Sequence, residues 1–124
     1  MAHEDFVTYE QSVKLKELGF DWECNHWYHP LEPDKIIECQ TYCNYNGFER
    51  PYSAPTLSQV QKWMREGKDI HIQSKICFIK FDWYAQLIKG LSYHPKIICA
   101  TTHFDTYEQA LSAGIDKALE LLKE

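Results

Sequence analysis

The sequence predicts an α+β fold, a mainly antiparallel sheet with about three helices packed on one face. Two observations carry that prediction. Thr8-Tyr9-Glu10-Gln11, Thr56-Leu57-Ser58-Gln59 and Thr106-Tyr107-Glu108-Gln109 each place a hydroxyl at an N-cap and an amide at N3. The threonine oxygen accepts from the N3 amide while glutamine reaches back to the cap's own N–H, so each marks a helix start. Between these starts lie short alternating or β-branched runs. The order helix, strand, hairpin strands, helix, strands, helix suits antiparallel pairing better than the crossovers of a parallel sheet.

The first helix is expected from Tyr9 to Leu18, closed by Gly19 in a left-handed conformation with Phe20 folding back on Leu15. From Asp21 the composition turns aromatic. Trp22, Cys24, His26 and Tyr28 share one parity, which predicts a strand up to the break at His29-Pro30-Leu31-Glu32-Pro33. Ile36 to Tyr45 alternates most clearly, and Asn46-Gly47 after it is a type I′ turn signal predicting a short return near Phe48 to Arg50. The second helix starts at Thr56, presents Leu57, Val60, Trp63 and Met64 at helical spacing, and ends near Gly67. Ile70 to Gln73 and Lys75 to Tyr84 are strand material with a turn or bulge expected at Ser74 and Lys75. Gly90 to Pro95 is expected as a loop, Lys96 to Thr102 as the last strand, and Thr106 opens a helix carrying Tyr107, Leu111, Ala118 and Leu122. Gly114 inside that helix costs up to ~1 kcal/mol relative to Ala, for which close packing or an exposed position are the alternatives.

At 124 residues the chain suits a single domain, 1–124. Its aromatic share of 15% supplies large buried areas for a core, and its formal charge of −5 argues against a broad phosphate-binding surface, so nucleic acid is not the expected partner. No leader and no apolar stretch of roughly 20 residues is found, which predicts a cytoplasmic protein that does not engage a membrane. The odd set Cys24, Cys39, Cys43, Cys77 and Cys99 is unlike a secreted disulfide framework and fits reduced thiols.

Three blocks carry a resemblance. Tyr9-Glu10-Gln11 runs into Lys16-Glu17-Leu18-Gly19-Phe20-Asp21; Ser53-Ala54-Pro55-Thr56 leads to Gln61-Lys62-Trp63-Met64-Arg65-Glu66; and Thr106-Tyr107-Glu108-Gln109-Ala110 opens the final helix. Together they resemble small uncharacterised proteins of phages and prophages of gut Bacteroidetes. The resemblance implies a viral or mobile-element protein in the cytoplasm of a bacterial host. It implies no activity, cofactor or site residue, because the matching positions are helix caps, helix ends and core.

Chemistry-bearing residues give two site expectations. Cys24, His26 and His29 with Cys39 and Cys43 offer thiolate and imidazole on neighbouring segments, as a zinc site requires. Against that, four residues along a straight strand separate Cys39 from Cys43 by roughly 13 Å, so one ion needs a sharp bend there. A thiol-dependent reaction at Cys99, His103 and Asp105 would need a base and an oxyanion donor that spacing does not establish. No phosphate loop, His-Glu-x-x-His or Gly-x-Ser-x-Gly occurs. Those absences lower the expectation of an enzyme. The aromatics exceed what one small core readily hides, which marks Trp27, Tyr28, Trp83 and Tyr84 as candidates for contact with a host or viral protein. A non-enzymatic phage or prophage accessory protein acting through protein–protein interaction is the leading expectation. The Cys/His cluster and small-ligand capture are the alternatives.

Overall fold

Helix ends are fixed by local chemistry and strand registers by pairing and packing, visible in a computed structural model that describes residues 5–90 and 95–123. The elements are α1 (Tyr9–Glu17), β1 (Cys24–His29), β2 (Glu32–Cys43), a 3-10 turn (Tyr45–Gly47), β3 (Tyr52–Ser53), α2 (Leu57–Gly67), β4 (Ile70–Cys77), β5 (Asp82–Lys89), β6 (Lys96–Ala100) and α3 (Tyr107–Leu122). The fold is α+β with antiparallel strands, divided between two three-stranded sheets ordered β2-β1-β3 and β4-β5-β6. The chain forms two compact units, one ending at Thr56 and one beginning at Leu57. No helix among the described residues is long and apolar enough to cross a membrane. Part of the expected Gly90–Pro95 loop, residues 91–94, lies outside the described residues.

In the first unit, α1 has the expected capping box. Gln11 N–H donates to Thr8 Oγ1 at 3.2 Å and Thr8 N–H donates to Gln11 Oε1 at 2.9 Å. At the other end Gly19 takes φ 88°, Gly19 N–H reaches Lys16 O, and Phe20 N–H reaches Leu15 O at 2.9 Å. Those bonds form a Schellman close, and buried Phe20 and Leu15 supply its apolar contact. Just before it, the Lys16 ammonium donates to the carbonyls of Phe48, Glu49 and Pro51 at 2.7–3.0 Å, tying the segment ahead of β3 to the helix. Partial desolvation there holds the amine below the ordinary lysine range.

Two sequence expectations change in this unit. β2 begins at Glu32 rather than Ile36, and the hairpin turn is Pro30-Leu31, with His29 paired to Glu32. β2 is an edge strand, so Pro33 forfeits no ladder bond on its open side. Asn46-Gly47 lies in the 3-10 turn instead of a hairpin. Its asparagine is occupied otherwise, donating from Nδ2 to Phe20 O and accepting at Oδ1 from Ser53 N–H. The return strand is β3, set beside β1 with Trp27 opposite Ser53 and Tyr28 opposite Tyr52.

In the second unit, α2 buries Leu57, Val60, Trp63 and Met64 as its spacing predicts. β4 and β5 pair without a slip from Ile70 opposite Lys89 to Cys77 opposite Asp82. Strand alternation therefore gives the sheet a row Ile72, Ser74, Ile76, Trp83, Ala85 and Leu87 on one side and Gln73, Lys75, Cys77, Asp82, Tyr84 and Gln86 on the other. The first row meets α3, which buries Ala110, Leu111, Ile115, Ala118 and Leu119. Each such Leu or Ile contributes roughly 1.5–3 kcal/mol when taken out of water. The turn expected at Ser74-Lys75 is absent: Ser74 and Lys75 are regular ladder residues opposite Ala85 and Tyr84, and the chain reverses at 78–81 instead.

Gly114 is explained by close packing. A Cβ there would stand 2.7 Å from Ile72 Cγ2 and 2.9 Å from Ala85 Cβ, so only a hydrogen lets α3 sit this near β4 and β5. Gly114→Ala should lower unfolding stability by about 1–3 kcal/mol, the overpacking cost exceeding the helix-propensity gain. Gly67→Ala, at a helix end with no atom within 4 Å of the added methyl, should be neutral or stabilising by up to about 1 kcal/mol. Urea titrations of both variants check this; equal effects would contradict the packing argument.

Candidate functional site

The four residues joining β4 to β5 are Phe78-Ile79-Lys80-Phe81, and their apolar members face solvent. Phe78, Ile79 and Phe81 are 77%, 90% and 82% exposed. Phe81 N–H closes the turn on Cys77 O at 2.7 Å, and Phe81 itself takes φ 57°. That left-handed conformation normally falls to Gly or Asn, and a Cβ there costs roughly 1–2 kcal/mol. The exposed ring recovers little of this by packing. A strained, apolar, solvent-facing turn serves neither local backbone preference nor the core, which makes it a candidate contact surface.

At its base the outward row gathers reactive side chains. Cys77 and Asp82 are direct cross-strand partners and share one face. His103 arrives from the segment after β6. Thr101 N–H bonds Ala85 O, while Trp83 and Phe104 exchange backbone bonds of 2.7 and 2.8 Å. Two steps along β5 therefore face three along the segment, and the extra residue forms a bulge at Thr102-His103 that aims the imidazole at β5. His103 Nδ1 lies 2.6 Å from Asp82 Oδ1, and its ring sits beside Tyr84 with centroids 5.4 Å apart. One ligating atom from each of Cys77, Asp82 and His103 lies within 4.8 Å of the others.

Of the sequence-selected residues, His103 belongs to this group, without Cys99 or Asp105, and Tyr84 lies beside its ring; the others fall elsewhere. Tyr28 is a core residue rather than a contact surface: its hydroxyl donates to Val7 O at 2.7 Å and its ring meets Tyr9 edge-on. Trp27, Trp83 and Tyr84 are half-buried. Trp27 stacks on Tyr45 at 6.1 Å and Trp83 meets Tyr107 edge-on at 5.5 Å, so their rings are largely spent on internal partners. Of the five proposed ligands, Cys24 is buried opposite Cys43, His26 Nε2 lies 3.3 Å from Glu38 Oε2, and His29 Nδ1 accepts from Leu31 N–H at 3.1 Å. Among the described residues no three of those five converge as ligands. The bend that Cys39 and Cys43 required is nevertheless present. From Cys24 to His26 β1 advances two residues while β2 advances five, from Glu38 to Cys43, so β2 bulges and both thiols face the Tyr45 hydroxyl.

This arrangement separates the thiols chemically. The Tyr45 hydroxyl, helped by the Thr41 backbone, holds the Cys39 thiol below its ordinary range, whereas burial pushes the Cys24 thiol up. Hydrogen bonding to Cys39 pushes the Tyr45 phenol up in turn. No chemistry-bearing sequence motif pointed to Cys77, Asp82 and His103 as a group. Cys77 and Asp82 bracket a turn made of strand-type residues, and His103 is brought in by a bulge that no short spacing encodes.

No protein-family model, curated protein or solved structure matches the chain.

Two outcomes follow from this geometry. Phe81→Gly should raise unfolding stability by about 0.5–1 kcal/mol by relieving the left-handed phenylalanine, read from urea denaturation; a loss of stability would mean that the ring packs. Iodoacetamide near neutral pH should modify Cys39 well before Cys24, followed by peptide mass spectrometry of quenched aliquots. Tyr45→Phe should slow Cys39 by removing the bond that favours its thiolate, and equal rates at the two thiols would contradict the assignment.

Proposed function

We propose that the chain is a non-enzymatic binding module that inserts its β4–β5 turn into an apolar cleft of a partner protein. The observation that carries this reading is the exposure of Phe78, Ile79 and Phe81 on one turn whose backbone is strained at Phe81. Sequestering three such side chains supplies roughly 5–9 kcal/mol gross, against an association cost on the order of 4–15 kcal/mol. That balance favours a transient complex completed by rim contacts. Lys80 at the turn and Lys75 behind it suit a cleft with carboxylates on its rim. A protein partner is favoured over an anionic lipid surface because the chain carries a formal charge of −5, the reverse of a polybasic membrane patch.

The resemblance to phage and prophage proteins supports a host or viral partner in the bacterial cytoplasm. The contact residues differ from those the sequence first suggested. Trp83 and Tyr84 lie just beyond the turn and would support its base, while Phe78, Ile79 and Phe81 would make the contact.

A photo-crosslinking phenylalanine analogue at position 79, irradiated in bacterial extract, should give one discrete protein adduct. Phe78→Ser and Phe81→Ser in that background should each reduce its yield about tenfold or more, the effect of losing an interface anchor, with the thermal midpoint held or raised. Yield indifferent to both substitutions, or the same adduct from a crosslinker at Lys62 on the exposed face of α2, would reject the proposal. Flotation of the chain with phospholipid vesicles and no protein adduct would also reject it.

A further inference from the structure

We infer that Cys77, Asp82 and His103 form a three-ligand site for a single zinc-class transition-metal ion at the base of the apolar turn. The three side chains come from three stretches of chain held by backbone pairing: Cys77 ends β4, Asp82 opens β5, and His103 rides the bulge bonded to β5 through Phe104. Their ligating atoms lie within 4.8 Å of one another. Ligands at roughly 2.0–2.3 Å from a tetrahedral zinc ion stand about 3.3–3.8 Å apart, so side-chain rotation alone can close the set without moving a strand.

The donor types select the ion. A thiolate beside an imidazole and a carboxylate suits zinc or cobalt(II); magnesium and calcium take oxygen ligands in larger number. Thiolate and carboxylate together carry the charge that neutralises a divalent ion. The approach is open, since the His103 and Asp82 side chains are 35% and 23% exposed. Tyr84 lies beside the imidazole, with ring centroids 5.4 Å apart. Binding exchanges the Asp82–His103 hydrogen bond for two bonds to the metal, the ring proton moving to the imidazole nitrogen that does not ligate, and releases the Cys77 thiol proton to solvent. Three protein ligands leave a fourth position for water or for a side chain of a partner. The ion would also staple β4, β5 and the segment after β6 together beneath Phe78–Phe81. The site stands whether or not the turn is the contact surface.

Cobalt(II) titration of the full reduced chain, starting from protein freed of metal with a chelator, tests the inference. One equivalent should produce a thiolate-to-cobalt charge-transfer band, and zinc should displace it. Cys77→Ser should abolish the band, and His103→Gln and Asp82→Asn should each weaken cobalt binding at least tenfold. Zinc should raise the thermal midpoint of the native chain and leave that of Cys77→Ser unchanged. Circular dichroism in chelator confirms that each variant is folded; should Cys77→Ser unfold, Cys77→Ala replaces it and the histidine and aspartate variants decide the matter. A chain that binds no cobalt overturns the site. So does a band that survives Cys77→Ser and disappears in Cys39→Ser or Cys43→Ser, which would place the metal on β2.

Discussion

The register of β4 against β5 is the constraint on which the second unit depends. Because the side-chain period of a strand is two, a slip of β4 by one residue against β5 would turn Ile72 to the outside and Cys77 toward α3, on the face opposite Asp82. The apolar row anchors the register from one side, and Gly114 sharpens it by admitting Ile72 and Ala85 at a distance that no other residue would allow. Once that row is fixed, the polar row is fixed with it, and so is the place where the chain must turn. The exposure of Phe78–Phe81 and the convergence of Cys77, Asp82 and His103 are thus two results of one pairing.

Strain and exposure at the turn act in the same direction energetically. A phenylalanine at positive φ is a cost to the isolated chain and three apolar side chains left in water forgo burial, while the eight-residue β4–β5 ladder and the α3 interface offset the strain. Such costs are borne where a binding surface must be held ready, because a rigid presented turn loses less entropy on association than a flexible one. A metal ion at the turn's base would act on the same term, by fixing the two strand ends from which the turn projects.

The helices were legible in the sequence because their signals are local. Thr8 and Thr106 close capping boxes, and Gly19 with Phe20 forms the expected Schellman end. The α2 face follows from spacing alone. Strand limits were less legible where tertiary context outweighs local preference. Pro33 is tolerated because β2 is an edge and because it falls in the register shift between the His29–Glu32 and Tyr28–Ile36 pairs, and Asn46-Gly47 bends into a 3-10 turn because Asn46 finds partners in Phe20 and Ser53. The turn at 78–81 was hidden by its own composition: Phe and Ile are strand formers, and a left-handed phenylalanine is not a turn signal. The candidate site was hidden for a related reason, since its residues are joined by pairing and a bulge rather than by spacing.

The pairing itself is the claim to test most directly, by cross-strand nuclear Overhauser effects in the isotope-labelled chain. The structure predicts contacts joining Cys77 to Asp82, Ile76 to Trp83 and Trp83 to Phe104, with the Phe78, Ile79 and Phe81 side chains free of long-range contacts. Contacts that instead place the reversal at Ser74-Lys75, with Phe78, Ile79 and Phe81 packed against other side chains, would contradict the account. They would remove the presented turn and the Cys77–Asp82–His103 group together.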